Sequence, residues 1–302
     1  MGMQFAMLLM AAGLGAAEPG TKRSDPLAGA RVEVYKTIGE VELKMYIFLP
    51  ADHKPTDRRG AVVFFFGGGF RRGAPAQFAQ HCRYLASRGM VAMTADYRVY
   101  DRHQVKVVQC AADGKSAIRW VRGHAKRLGI DPDRIAAGGG SAGGCLAAIT
   151  GTLDAFDAPD EDKSVSSRPN AMLLFNPRVD FRPESAGARR DDPEVAARLE
   201  RLGTDPERLS PHCHVKPGMA PTIIFHGAAD KTVPFAEIER FDQVMRQAKN
   251  RCELVAYEGK GHGIFNYGRD GGKSFVDTLR RTDRFLASLG YLTGPPTIDT
   301  YK

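Results

Sequence analysis

The segment that most constrains this chain is a serine set among glycines, in the pattern Gly139-x-Ser141-x-Gly143. A short apolar run precedes it and an alanine-rich run follows at once, which predicts a strand, a sharp turn and a helix. A side chain two places before or after the serine would collide across such a turn, and glycine removes that collision. The pattern is typical of a turn that exposes a nucleophilic hydroxyl. Judged alone, it fits a glycine-rich turn that merely contains a serine equally well.

The rest of the chain alternates short apolar runs with segments that favour helix. Continuous apolar runs, and two alternating runs near the start, predict strands over 31–36, 41–49, 61–66, 90–96, 134–140, 171–176, 222–226 and 252–257. Helices are predicted over 75–87, 107–128, 234–248 and 274–289, and directly after the serine turn. Strands that alternate with helices predict an α/β protein with one mostly parallel sheet of about eight strands, flanked by helices.

One stretch, at about 182–217, breaks this alternation because it is charged and carries only short helical pieces, such as 193–202. An insertion of this kind between two strands predicts a small cap. The sequence therefore predicts a single domain over 31–290 that contains the cap, followed by a tail over 291–302. It shows no internal repeat and no low-complexity segment.

The first 17 residues have the layout of a secretory signal peptide. They are apolar over 5–14 and end in small residues before Glu18, although no Lys or Arg lies at their start. Cleavage would leave a lead-in over 18–30, and the protein would then be secreted or periplasmic; without cleavage we expect a cytoplasmic protein. The run is too short to serve as a stable membrane span.

Composition excludes several other classes of protein. The chain has 302 residues, of which 43% are hydrophobic, as expected for a globular protein. Its net charge is +8, but no basic run or aromatic-interleaved basic stripe predicts nucleic-acid binding. The five cysteines form no C-x-x-C pair, and His212-Cys213-His214 lacks a second ligand cluster, so we favour a surface loop there over a metal site. No metal or cofactor is predicted, and the oligomeric state stays open.

A serine becomes a strong nucleophile only when a base takes its proton, so a histidine is required nearby. His262 is the best candidate of eight, because it lies in a glycine-containing loop after the last predicted strand and before the last helix. His226 ends a strand and is better interpreted as structural. Four others lie in polar loops or amphipathic helices and are predicted to be at the surface: His53, His81, His103 and His124.

The base needs an acid that orients it. Asp230 follows the strand that ends at His226, and Asp180 follows the preceding strand. Because ligands bind at the carboxyl ends of parallel strands, both acids are candidates. One helix and one strand separate Asp230 from His262, and this spacing favours Asp230.

The negative charge that develops on a carbonyl oxygen needs backbone N–H donors. Ala142 follows the serine at the start of a helix, whose dipole favours negative charge. Three glycines at 67–69 follow an early strand and leave room for close approach. We expect Gly68, Gly69 and Ala142 to form the oxyanion hole.

Several segments together resemble one branch of a known family, the hormone-sensitive-lipase-like and acetylxylan/feruloyl-esterase-like α/β-hydrolases. These segments are 64–73, 96–98, 113–122, 131–148, 226–235 and 262–266, and the similarity covers most of 31–290. The order Ser141, Asp230, His262 is the one expected in that fold. The resemblance implies a carboxylic ester hydrolase that acts through these three residues without metal or cofactor. One position departs from the pattern: the branch usually has His before its triple glycine, and this chain has Phe66, which puts the hydrogen bonding of the oxyanion loop in question.

The expected substrate is a short acyl ester on a small molecule or a polysaccharide, such as an acetyl or feruloyl ester, because the cap is too charged for the lid of an interfacial lipase. Arg71, Arg72 and Arg178 lie near the predicted site and are candidates to meet an acidic or sugar-rich leaving group. Two alternatives stay open: a serine peptidase of the prolyl-peptidase type, and a non-catalytic binding protein on a hydrolase scaffold. The first would normally carry a propeller-length extension, and the second usually lacks one of the three catalytic residues.

Overall fold

The strands and helices of the chain alternate along most of its length. The computed structural model describes residues 25–187 and 189–301, so the predicted signal peptide over 1–17 lies outside the described residues. The strands are β1 Arg31–Ile38, β2 Val41–Phe48, β3 Arg59–Phe65, β4 Val91–Ala95, β5 Ile130–Gly140, β6 Ala171–Phe175, β7 Thr222–Gly227 and β8 Cys252–Tyr257. The helices are α1 Ala79–Ser87, α2 Tyr100–His103, α3 Val107–Gly123, α4 Ala142–Thr152, α5 Pro193–Glu200, α6 Pro206–Leu209, α7 Phe235–Gln247 and α8 Lys273–Ser288.

These strands form one sheet in the order β1-β2-β4-β3-β5-β6-β7-β8. β2 pairs antiparallel with both β1 and β4, and every other neighbouring pair is parallel. The predicted α/β fold with a mostly parallel, eight-stranded sheet is confirmed. All parallel strands therefore point their carboxyl ends to one edge, where the loops that follow β3, β5, β7 and β8 meet.

The central strands are apolar throughout because both faces of the sheet are covered by helices. On β3, Val63 and Phe65 pack into one core with side chains of α3, α4 and α7. The intervening residues, Val62 and Phe64, pack into a second core with α1 and α8. Successive side chains on a strand point to opposite faces, so a strand between two cores needs a continuous apolar run.

His81 corrects one prediction, because it is fully buried instead of lying at the surface. Its ring centroid lies 4.7 Å from that of Phe78, 4.9 Å from that of Phe275 and 5.6 Å from that of Phe175. Burial lowers the pKa of His81 to about 3, so the ring is neutral at physiological pH. Its position on the inner face of α1, and not its polarity, decides where it lies.

Two helix predictions also differ from the structure. α3 ends at Gly123 and not near residue 128, because the chain there turns back so that the N–H of Ile130 donates to the carbonyl of Ala125 at 2.9 Å. The predicted helix over 75–87 begins as a 3₁₀ turn, Pro75–Phe78, before α1.

The segment predicted to form a cap, 182–217 (the cap segment below), lies between β6 and β7 and contains α5, α6 and two 3₁₀ turns. Val195, Leu202 and Leu209 of this segment have buried side chains. Cys213 lies exposed on this segment, whereas the other four cysteines are buried. After α8, the chain packs back on the domain through the buried side chains of Tyr291 and Ile298. No helix within the described ranges is both long enough and apolar enough to cross a bilayer.

Candidate active site

Ser141 lies at a strained turn between β5 and α4, with φ of 53° and ψ of −117°. A Cβ atom on Gly143 would lie 2.0 Å from the carbonyl oxygen of Phe65, and one on Gly139 would lie 2.4 Å from the carbonyl of Gly143. Both glycines are therefore required by close backbone packing. The N–H of Ser141 donates to the carbonyl of Phe175 at 2.8 Å, which fixes the turn above the sheet.

His262 and Asp230 are brought together from the loops after β8 and β7. The distance from His262 Nδ1 to Asp230 Oδ2 is 2.7 Å. The other carboxylate oxygen, Oδ1, accepts the N–H groups of Thr232 at 2.8 Å and Val233 at 3.1 Å. Burial raises the pKa of Asp230, but the hydrogen bond from His262 and those from the backbone outweigh it and lower the pKa to about 2. The carboxylate is thus ionised and can hold an imidazole in one orientation.

Two further residues contact Asp230, and sequence reasoning missed both contacts. Asn176 Nδ2 donates to Asp230 Oδ2 at 2.8 Å, and His226 Nε2 lies 3.3 Å from the same oxygen. His226 Nε2 also lies 2.9 Å from the carbonyl oxygen of Val233, which can only accept, so this nitrogen carries the proton. Burial lowers the pKa of His226, which disfavours the charged form of its ring. The sequence did offer one signal that Asn176 lies near the site, namely its position at the carboxyl end of a buried strand.

Asp180, the rival acid, lies elsewhere. Its carboxylate pairs with Arg182 at 2.7 Å and contacts Ser210 of the cap segment. Asp180 thus anchors the cap segment through Arg182 and Ser210. The carboxylate that contacts His262 is that of Asp230.

Ser141 Oγ has no hydrogen-bond partner within residues 25–187 and 189–301. The structure thus joins His262 to Asp230 but shows no bond from the serine to the imidazole. Serine–imidazole hydrogen bonds are often loose until a substrate is bound, so this geometry is compatible with a catalytic role.

The glycine loop after β3 adopts backbone angles that only glycine tolerates well. φ is 131° at Gly68 and 65° at Gly69, and a Cβ atom on Gly68 would lie 2.0 Å from the carbonyl oxygen of Arg72. Gly69 and Ala142 line the same cavity as Ser141, whereas Gly68 is not part of its lining.

Other side chains support this loop at the position where the family pattern has His. The ring of Phe66 stacks on Tyr97 with centroids 4.1 Å apart, and Tyr97 Oη donates to the carbonyl of Phe66 at 2.7 Å. The N–H of Gly67 donates to Gln77 Oε1 at 2.6 Å. This chain has no imidazole at position 66, and Tyr97 and Gln77 provide hydrogen bonds to the loop instead.

The cavity beside Ser141 has a volume of about 330 Å³. Its apolar lining includes Phe70, Phe181, Val195, Leu199 and Leu202, and its charged lining consists of Arg71, Arg178, Arg182, Arg198 and Arg201. Of the three arginines that the sequence placed near the site, Arg71 and Arg178 line this cavity and Arg72 does not. No group of three or more His, Cys, Asp or Glu side chains in the described part of the chain is arranged to hold a metal ion.

Comparison with known proteins assigns the chain to a family. The model of the BD-FAE family matches residues 45–245, which is more than half of the chain. The chain therefore belongs to the BD-FAE family. With it, the predicted kinship with hormone-sensitive-lipase-like serine esterases of the α/β-hydrolase fold is confirmed.

Solved structures similar to this BD-FAE chain include esterase 2 of Thermogutta terrifontis. Its native form is 54% identical, with a TM-score of 0.84 over 88% of this chain and 95% of that chain. A form phosphonylated by sarin is 52% identical, with a TM-score of 0.85 over 89% of this chain and 98% of that chain.

Esterase LipC of Mycobacterium tuberculosis is 27% identical over 221 residues, which cover 70% of this chain and 54% of LipC. Lipase 2 of a Moraxella species is 32% identical over 155 residues, which cover 44% of this chain and 35% of that lipase. This BD-FAE chain spans about half the length, or less, of these two relatives.

Proposed function

We propose that the protein is a carboxylic ester hydrolase that works through an acyl-enzyme on Ser141. The observation that carries the proposal is the 2.7 Å pairing of His262 with an ionised Asp230, at the same sheet edge as a strained serine turn. The similarity to esterases supports it, and so do the forms of Thermogutta terrifontis esterase 2 that are phosphonylated by organophosphates. Those covalent forms show that this relative has a reactive nucleophile.

In the first half of the proposed reaction, His262 Nε2 accepts the proton of Ser141 as the hydroxyl oxygen attacks the ester carbonyl. The carbonyl oxygen becomes an oxyanion, which accepts hydrogen bonds from the N–H groups of Ala142, Gly68 and Gly69. Its collapse expels the alcohol, which takes the proton from His262, and leaves the acyl group on Ser141.

In the second half, water attacks the acyl-enzyme with His262 again as the base. The acid product leaves and Ser141 recovers its proton. Asp230 accepts the Nδ1 hydrogen of His262 throughout, so Nε2 faces the reaction, and it stabilises the imidazolium that forms twice in each cycle.

Short acyl groups suit the cavity best. Its volume lies near the lower end of the range for small-molecule sites, roughly 300 to 1,000 Å³. Thermogutta terrifontis esterase 2 has structures with propionate and with butyrate bound. We therefore propose acyl groups of this size, with acetyl esters of polysaccharides as the first natural substrates to test and feruloyl esters, whose acyl group is larger, as the second. We also propose that residues 1–17 are removed and that the protein acts outside the cytoplasm.

Hydrolysis of p-nitrophenyl acetate, propionate, butyrate and octanoate by the wild type and by Ser141→Ala tests the function. We expect the wild type to prefer the shorter esters and the variant to lose turnover by about 10⁴- to 10⁶-fold. Ser164→Ala is the matched control, since this exposed serine lies in the loop before β6, at the amino edge of the sheet. A Ser141→Ala protein with full activity would show the mechanism to be wrong.

A fluorophosphonate probe, with the adduct mapped by mass spectrometry, separates the alternatives. An adduct on Ser141 together with ester hydrolysis supports the esterase. No adduct and no hydrolysis would support a binding protein on a hydrolase scaffold. Cleavage of a proline anilide in preference to every ester would support the peptidase.

A further inference from the structure

The cavity beside Ser141 is lined by five arginines and by no acidic residue of the described chain. Three of them are partly neutralised by acids that are not part of the lining. Arg182 pairs with Asp180 at 2.7 Å, and Arg178 lies 3.6 Å from Glu237. The third, Arg71, has Asp101 at 3.5 Å, a pair that is exposed to solvent and therefore weak.

The other two arginines, Arg198 and Arg201, belong to the cap and have no acidic partner within 25–187 and 189–301. Both donate hydrogen bonds to backbone carbonyls. Arg198 Nε donates to the carbonyl of Glu194 at 3.3 Å, and Arg201 Nη2 donates to the carbonyl of Gly69 at 3.1 Å. The second of these bonds places a guanidinium directly at the glycine loop beside the serine.

Arg201 and Arg71 also share one aromatic ring. Their guanidinium carbons lie 5.7 Å and 5.9 Å from the centroid of Tyr100. Burial lowers the pKa of Arg201, and the nearby charge of Arg71 lowers it further. Positive charge is thus concentrated on one wall of a partly apolar cavity, where an anion would be bound more strongly than in open solvent.

We propose that this cavity takes esters that carry a carboxylate, which Arg198 and Arg201 bind while the ester carbonyl lies at Ser141. The inference rests on the proposed function and narrows its substrate class. A planar guanidinium matches a carboxylate in geometry, and Phe181 and Leu199 provide apolar contact for the carbons between the two ends of the substrate. The carboxylate can belong to the acyl part or to the alcohol part of the ester, and the experiment separates the two.

The test compares each carboxylate ester with its uncharged amide analogue. On the acyl side, the pair is mono-p-nitrophenyl glutarate and p-nitrophenyl 4-carbamoylbutanoate. On the alcohol side, the pair is 4-acetoxybenzoate and 4-acetoxybenzamide. We expect kcat/KM of the wild type to favour the carboxylate about tenfold or more in one of the pairs, as charge-assisted hydrogen bonds imply.

Arg198→Gln and Arg201→Gln should each lower that ratio about tenfold, and Arg201→Lys should retain part of it. Using the ratio removes any general loss of activity that follows from the bond between Arg201 and the glycine loop. Arg72→Gln is the matched control, because it removes the same charge from an exposed residue outside the cavity lining and should leave the ratio unchanged.

A wild type that hydrolyses the amide esters but prefers the carboxylate in neither pair would overturn the inference and leave the proposed function standing. Equal ratios in the wild type and both glutamine variants would overturn it as well. A wild type that hydrolyses none of the four esters, and none of the p-nitrophenyl alkanoates, would remove the proposed function together with the inference.

Discussion

Gln77 donates a hydrogen bond of 2.9 Å to Asn266, and this bond joins the loop after β3 to the loop of His262. At one end, Gln77 Oε1 accepts the N–H of Gly67 at 2.6 Å. At the other end, Asn266 Nδ2 donates to the carbonyl of Gly263 at 3.0 Å. The proposed oxyanion donors and the proposed base are thus held at a fixed separation by two amide side chains.

Breaking this link should lower turnover without unfolding the protein. We expect Gln77→Ala and Asn266→Ala each to lower kcat about tenfold with a smaller change in KM, because they misplace groups that act in the transition state. The double variant should lose little more than either single one, since both remove the same link. Steady-state kinetics on p-nitrophenyl propionate measures this, with exposed Gln243→Ala of α7 as control. Fully additive losses would contradict a shared role.

Asn176 should matter through its bond to Asp230. Asn176→Asp places a second carboxylate beside Asp230 Oδ2, which raises the pKa of Asp230, so activity should fall at a higher pH than in the wild type when the solution is acidified. Asn176→Gly suits the positive φ of 43° and only removes the amide, so it should lower kcat without that shift. The pH profile of kcat distinguishes the two variants, and identical profiles would refute the electrostatic explanation.

Tyr97 should stabilise the protein as well as the glycine loop. In Tyr97→Phe, the buried carbonyl of Phe66 loses its 2.7 Å hydrogen bond, which should cost about 1 to 3 kcal/mol of unfolding free energy. Urea unfolding measures the loss, and kcat should fall in parallel because the loop is less firmly held. Tyr46→Phe is the control, since that hydroxyl has no hydrogen-bond partner in the described chain. Equal stability of the two variants would argue against the role of Tyr97.

His81 should make the protein sensitive to acid. Burial lowers its pKa from 6.5 to about 3 in the folded state, so between these values the unfolded chain binds the extra proton. The stability that depends on a neutral His81 is complete above pH 6.5 and is lost as the pH falls towards 3, by at most about 1.4 kcal/mol per pH unit. His81→Phe removes this dependence.

Urea unfolding at several pH values between 7.5 and 4 checks the prediction about His81. The difference in unfolding free energy between His81→Phe and the wild type should grow in favour of the variant as the pH falls. His81→Leu should show the same trend, because it also removes the titrating ring. A difference that does not change with pH would mean that packing alone distinguishes the variants.

Local sequence patterns were sufficient for much of the fold. The apolar run at 61–66 predicted β3, which spans Arg59–Phe65, and the run at 252–257 matches β8. Gly139 and Gly143 predicted the turn at Ser141 because the required small residues lie within four positions of each other. In each case the signal lies in a short stretch of sequence: a continuous apolar run for the strand, and two glycines close to the serine for the turn.

The supporting contacts of the site could not be predicted in the same way. Asn176 and Asp230 are 54 residues apart, and Gln77 and Asn266 are 189 residues apart, so only the folded sheet brings them together. His81 was mistaken for a surface residue because two of the rings that bury it, Phe175 and Phe275, come from distant parts of the chain. Ser141→Ala tests the catalytic role of Ser141, and the roles of Asp230, His262 and the oxyanion donors stay predictions.

The exposed position of Cys213 allows the cap segment to be labelled selectively. It lies exposed on that segment, whereas the other four cysteines are buried and out of reach of a reagent in solution. A maleimide dye should therefore attach to the cap of the unaltered protein at a single position. Fluorescence from that dye would then report cap movement in real time while an ester is being turned over.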